Sequence, residues 1–134
     1  MMFEDVAIAL PVRPNDLDSF GHVNYATVLE YMEAGRWAWL SHHHKMEQAS
    51  SVLPVVSRLE IAYHREIRME QVQVNTHLEP GEESPYYVFF KQTVGVVREG
   101  RPITAVEARV RMVFMDAVKR TLTTKQAFLD SKDS

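Results

Sequence analysis

Between Arg13 and Tyr25 the chain concentrates groups able to do chemistry: carboxylates at Asp16 and Asp18, a glycine at Gly21, a histidine at His22 and an asparagine at Asn24. The segment is rich in Pro, Asn, Asp, Ser and Gly, which favour turns for backbone reasons, so it reads as a loop. Apolar residues at helical spacing follow, and Asn24 is available as the N-cap for the first exposed amides. A helix N-terminus offers unpaired N–H groups and partial positive charge, which stabilise the oxyanion formed when a nucleophile attacks a carbonyl. A carboxylate a few residues upstream either attacks the carbonyl carbon itself or takes a proton from an attacking water, and Asp18 is placed for that. Gly21 lets the backbone approach a substrate and turn into the helix without a Cβ in the way. Asp16 fits an Asx-turn or loop cap that holds the loop through its own backbone. His22 could donate to a substrate carbonyl, although a single histidine without a paired nucleophile fits a packing and orienting role better.

The elements that must position this loop follow from periodicity. Met2 to Val12 reads as a strand. From Asn24 to His44, Tyr25, Val28, Leu29, Met32, Trp39 and Leu40 recur at helical spacing. Ala26, Tyr31, Ala34, Gly35, Trp37 and Ala38 leave few positions for a polar face, so the helix is expected to be buried on most sides. Four β-rich segments come next, at Val52 to Arg65, Gln71 to Leu78, Tyr86 to Val97 and Pro102 to Met115. Glu79-Pro80-Gly81 and Arg98-Glu99-Gly100 supply turns. Alternation in the last strand puts Ile103, Ala105, Glu107, Arg109, Arg111 and Val113 on a polar face, with Thr104, Val106, Ala108, Val110, Met112 and Phe114 on the core face. Thr123 to Leu129 reads as a short terminal helix that serves packing. A strand, a long helix and an antiparallel meander define an α+β domain, with about five strands wrapped around one central helix.

Asp16-Leu17-Asp18-Ser19-Phe20-Gly21-His22-Val23-Asn24-Tyr25, followed by Leu29-Glu30-Tyr31-Met32-Glu33-Ala34-Gly35-Arg36, resembles the 4-hydroxybenzoyl-CoA thioesterase family and its D-x-D-x-x-G-H-V-N signature. The likeness continues through Arg58-Leu59-Glu60-Ile61-Ala62-Tyr63-His64-Arg65. It implies the hot-dog fold and hydrolysis of an acyl-CoA or acyl-carrier-protein thioester. By the same resemblance Asp18 is the catalytic carboxylate, and the backbone amide of Tyr25 polarises the thioester carbonyl. Gly21, His22, Asn24, Arg58 and Arg65 are the candidate substrate-binding residues. No metal or redox cofactor is needed, coenzyme A entering only as part of the substrate. The resemblance further implies a homodimer or homotetramer with active sites at the subunit interface. The chain departs from the family in the turn after the second strand, where Arg65-Glu66 and Glu70-Gln71 replace Arg-Pro and Gly-Asp. Some hot-dog thioesterases take the catalytic acid from the helix, which would be Glu30 or Glu33; the intact Asp18 argues against that. It also argues against a non-catalytic acyl-CoA binding domain of the same fold, and no hydratase-type His and Asp pairing is recognisable.

Other candidates have plainer readings. Glu33 and Arg36, three apart on the helix, fit an ion pair. His42, His43 and His44 point about 100° apart and cannot converge on one metal; they complement the helix C-terminus instead. Trp37, Trp39 and Tyr31 read as core or as the lining of an acyl pocket. Arg58, Arg65 and Arg68 suit coenzyme-A phosphates, but strand-surface arginines are commonly just solvated. With 134 residues, 46% of them apolar, the chain fits one domain over residues 1–134. A net charge of −3 with scattered basic residues gives no footprint for nucleic acid. The sequence holds no cysteine, no apolar run long enough to span a bilayer, and Glu4 and Asp5 where a signal peptide would be basic. A cytoplasmic protein is the expectation.

Overall fold

The computed structural model describes residues 3–46, 51–79 and 83–130. Strand β1 (Val6–Pro11) leads through a single 3-10 turn (Pro14–Asp16) and a loop into helix α1 (Tyr25–His42). There follow β2 (Val52–Tyr63), β3 (Gln71–Glu79), β4 (Tyr87–Arg98), β5 (Arg101–Asp116), a two-residue β6 (Leu122–Thr123) and a short α2 (Lys125–Leu129). The strands form one antiparallel sheet in the order β1-β3-β4-β5-β2, with β6 beside β5. This is the expected α+β arrangement of five long strands against one long helix, although β1 is shorter than the stretch from Met2 to Val12. No helix among the described residues is long and apolar enough to cross a membrane.

Alternation builds the core. Val72, Val74, Thr76 and Leu78 of β3 are buried, as are Val88, Phe90, Gln92, Val94 and Val96 of β4. Between β4 and β5, Glu99 and Gly100 both have positive φ (54° and 73°), the two-residue turn whose twist matches a hairpin. The turn expected at Glu79-Pro80-Gly81 falls partly outside the described residues. In β5 the expected faces hold from Val106 onward but not before it. The register slips opposite Val94 and Gly95, leaving Ala105 as an extra residue, so Ala105 is buried and Thr104 exposed. The Ala105 carbonyl accepts the amides of His64 (2.8 Å) and Arg65 (3.1 Å), fixing the chain where β2 ends.

Helix α1 packs on β1, β3 and β4 through Val28, Tyr31, Met32, Gly35, Trp39 and Leu40. A fully buried Met32 or Trp39 side chain contributes about 2 kcal/mol or more. A Cβ on Gly35 would lie 2.6 Å from Val74 Cγ1, so only glycine permits this close an approach. Beside it, buried Gln92 donates to the Met32 carbonyl (2.9 Å) and to Thr76 Oγ1 (2.9 Å) and accepts from Arg36 (3.0 Å). Arg36 thus bonds the core amide instead of forming the expected contact with Glu33.

The helix is not buried on most sides. Tyr25, Leu29 and Trp37 are exposed, because a helix about 10 Å wide cannot cover five strands spanning about 19 Å. The uncovered strand is β2, whose Val56 and Leu59 are also exposed. Trp39 and Tyr31 are core while Trp37 is 48% exposed, so the three do not form one pocket. His42 and His43 hold Glu4 near the helix C-terminus, and Trp39 packs on Phe3 and His43. The terminal helix serves packing: Phe128 stacks on Phe114, and the Lys45 ammonium donates to the Phe128 carbonyl.

Candidate active site

The loop before α1 closes on itself. Asp16 caps the 3-10 turn, accepting from the Arg13 amide (3.0 Å) and guanidinium (3.1 Å). Its carboxylate, 3% exposed, also accepts a 2.6 Å bond from the Tyr31 hydroxyl two turns into α1. Burial alone would push the Asp16 carboxyl up, but Tyr31 and Arg13 together hold it below its ordinary range. Burial and this carboxylate push the Tyr31 hydroxyl up. The Asp16 carbonyl accepts the Asn24 amide (3.0 Å), and Val23 N–H donates to the Ile67 carbonyl (2.8 Å), tying the end of the loop to the turn before β3.

Within that frame Asp18 sits at the neck, its amide donating to the His22 carbonyl (2.7 Å). Its Oδ1 accepts the amides of Phe20 (2.9 Å) and His22 (3.1 Å); Oδ2 accepts from no group among the described residues. The local Asx bonding is therefore present, and it leaves one oxygen available. Gly21 has φ +80° with open space where a Cβ would be, so the turn needs it for conformation, and it does not line the pocket described next. Asn24 is the helix cap: its Oδ1 accepts Ala26 N–H (2.8 Å) and its carbonyl accepts the amides of Thr27 and Val28. Tyr25 N–H has no acceptor among the described residues.

Asp18 and Tyr25 open onto one pocket of about 450 Å³. His22, Val23, Asn24 and Val28 complete its loop and helix side; Tyr63, His64, Arg65, Glu66 and Ile67 line it from the β2 side. His22 Nε2 is 3.8 Å from Glu66, itself paired to Arg68 at 2.8 Å. The Arg68 guanidinium, and next the facing His22, hold the Glu66 carboxyl below its ordinary range. Arg98 braces this wall from the β4 to β5 turn, bonding Glu70 (2.7 Å) and the Glu66 carbonyl. Glu66 and Glu70, which replace the family's Pro and Gly, are thus parts of a charged scaffold. Arg65 lines the pocket, whereas Arg58 lies outside it, exposed and 3.0 Å from Glu60. Glu30 and Glu33 line a separate groove against β2. No group of three or more His, Cys, Asp or Glu able to hold a metal occurs among the described residues.

The sequence model of the thioesterase-like superfamily matches residues 12–132, nearly the whole chain and all of this site. The chain belongs to that superfamily. Among solved structures, a 1,4-dihydroxy-2-naphthoyl-CoA thioesterase from Synechocystis superposes with TM-score 0.75 at 13% identity, over 98% of this chain and 100% of its own. A probable thioesterase from Escherichia coli gives 0.76 at 22% identity over 90% of each chain. An Asp-to-Asn variant of 4-hydroxybenzoyl-CoA thioesterase, complexed with 4-hydroxybenzoyl-CoA, gives 0.76 at 10% identity over 90% of each chain. These likenesses establish the hot-dog fold. No curated protein sequence matches the chain.

The sequence assigns Tyr63 and Arg98 no site role, and Glu70 stands out in it only as a departure from the family. Tyr63 stood in the matched stretch ending at Arg65 and on a strand rich in β-forming residues, but its partner Tyr25 is 38 residues away. No local pattern announces such a contact.

Proposed function

We propose that this superfamily member hydrolyses the thioester of an acyl-CoA or acyl-carrier-protein substrate in the Asp18 pocket. One observation carries the reading: Asp18, with one carboxylate oxygen unbonded among the described residues, and Tyr25, whose helix N-terminal amide has no acceptor among them, line the same cavity. The thioester oxygen accepts from Tyr25 N–H, which stabilises the negative charge that develops as the carbonyl carbon is attacked. Asp18 Oδ2 acts in one of two ways. As a nucleophile it bonds the carbonyl carbon, the C–S bond breaks, the sulfur leaves with its electron pair, and water then cleaves the mixed anhydride. As a base it takes a proton from a water that attacks the same carbon, and that proton is available to the departing sulfur. Both routes end in a free acid, a free thiol and regenerated Asp18, using only this chain's residues and one water. Arg65 on the wall supplies positive charge, and His64 beside it and His22 on the loop side supply ring N–H donors, for the carrier's phosphates. The bound neighbour with 4-hydroxybenzoyl-CoA supports a coenzyme-A carrier.

The same reading includes a homodimer or homotetramer. Among the described residues the outer edge of β2 is unpaired, and beside it a groove of 280 Å³ exposes Leu29, Val56 and Leu59 over Val110. Such an edge with apolar neighbours favours pairing with a second copy. The test is release of free thiol from a panel of aliphatic and aromatic acyl-CoAs and an acyl-carrier protein, with the mass of the active species read by light scattering. Turnover of at least one member by an assembly of two or four chains is expected. A panel with no turnover would favour a binding domain, and an active monomer would remove the assembly.

A further inference from the structure

Tyr63 ends β2 on the wall facing Asp18, and its hydroxyl donates to the carbonyl of Tyr25 at 3.2 Å. The two rings pack with centroids 4.5 Å apart, tilted by 42°. Tyr25 is 69% exposed, and no other side chain among the described residues bonds its backbone. The first turn of a helix frays readily, because its leading amides have no partners within the helix. Asn24 secures the amides after Tyr25, not Tyr25 itself. The end of β2 is firm, since the next two amides, of His64 and Arg65, both bond the Ala105 carbonyl on β5. Resting on the thioesterase reading above, we infer that Tyr63 is a positioning residue: it ties Tyr25 to the rigid sheet so that the oxyanion-binding amide is held in place before the substrate arrives.

An oxyanion donor works because it does not reorganise during the reaction, and removing one outright costs about 10² to 10³ in turnover. Loosening a donor costs less. Burial, and next the nearby Tyr25, hold the Tyr63 hydroxyl above its ordinary range, which keeps the proton that this bond requires.

The test is Tyr63→Phe, which keeps the ring and deletes the hydroxyl. Turnover number is expected to fall about tenfold with KM changed less than about twofold, since the defect is felt only as charge develops. Tyr63→Leu, which also loses the ring contact, is expected to fall further. Nitrogen-15 NMR supplies the readout that needs no activity: in Tyr63→Phe the amides from Tyr25 to Leu29 shift and exchange faster, while those of β3 and β4 do not. An unchanged first turn overturns the inference, as does a native turnover number. A loss confined to KM does so as well, because it makes Tyr63 a substrate contact. If the native protein hydrolyses no thioester the activity reading fails by itself, and the amides of the first turn still decide whether Tyr63 holds them.

Discussion

Asp18→Asn lowers turnover about a hundredfold or more while the fold survives. Asparagine keeps Oδ1, so it still accepts the Phe20 and His22 amides that shape the loop. What it loses is the second oxygen, replaced by an amide group that neither attacks a carbonyl nor takes a proton. Removing a general base costs about 10² to 10⁴, and removing a nucleophile costs at least as much. Thiol release under single-substrate saturation, with thermal unfolding on the same samples, checks this. An Asp18→Asn enzyme within about threefold of native turnover would make Asp18 a loop residue and turn attention to Glu33 on the helix.

Asp16→Ala produces the largest loss of stability, about 3 kcal/mol. It leaves the Tyr31 hydroxyl buried without its acceptor and removes the charged partner of the Arg13 amide and guanidinium. For a domain of this size that is a fall of about 10 °C in Tm. Because the folded carboxyl is held below its ordinary range, its contribution is full above the unfolded value, near pH 4, and is lost as pH falls through the folded value. The stability gap between native and variant is therefore constant near neutrality and narrows below about pH 4. Denaturant melts from pH 3 to pH 7 measure it. A gap that is absent at pH 7, or that widens in acid, would contradict the assignment.

The two aspartates show what sequence conveys and what it does not. The bonds each makes within the loop are local, and for Asp16 a loop-holding role was legible from its turn-forming neighbours. The Tyr31 hydroxyl that makes Asp16 an anchor comes from 15 residues downstream, so it was not. Helix α1 was legible to within two residues at each end because its cap and its spacing are local signals. Its burial was misjudged because apolar content does not reveal which strands lie beneath. Trp37 and Trp39, two apart, sit on opposed faces of any helix, and that spacing already separated them. The bulge at Ala105 left no trace, since a small apolar residue fits either face of a strand. The Glu33 to Arg36 pair failed because the core offered Arg36 a buried amide oxygen on Gln92 instead.

In the proposed reaction the thioester carbonyl sits between Asp18 and the first amide of α1. A crystal structure of Asp18→Asn with the best acyl-CoA of the panel tests it most directly. The thioester oxygen is expected about 3 Å from Tyr25 N, with the carbonyl carbon facing residue 18. A thioester bound elsewhere, or one whose oxygen takes its hydrogen bond from another donor while Tyr25 N–H stays empty, would contradict it.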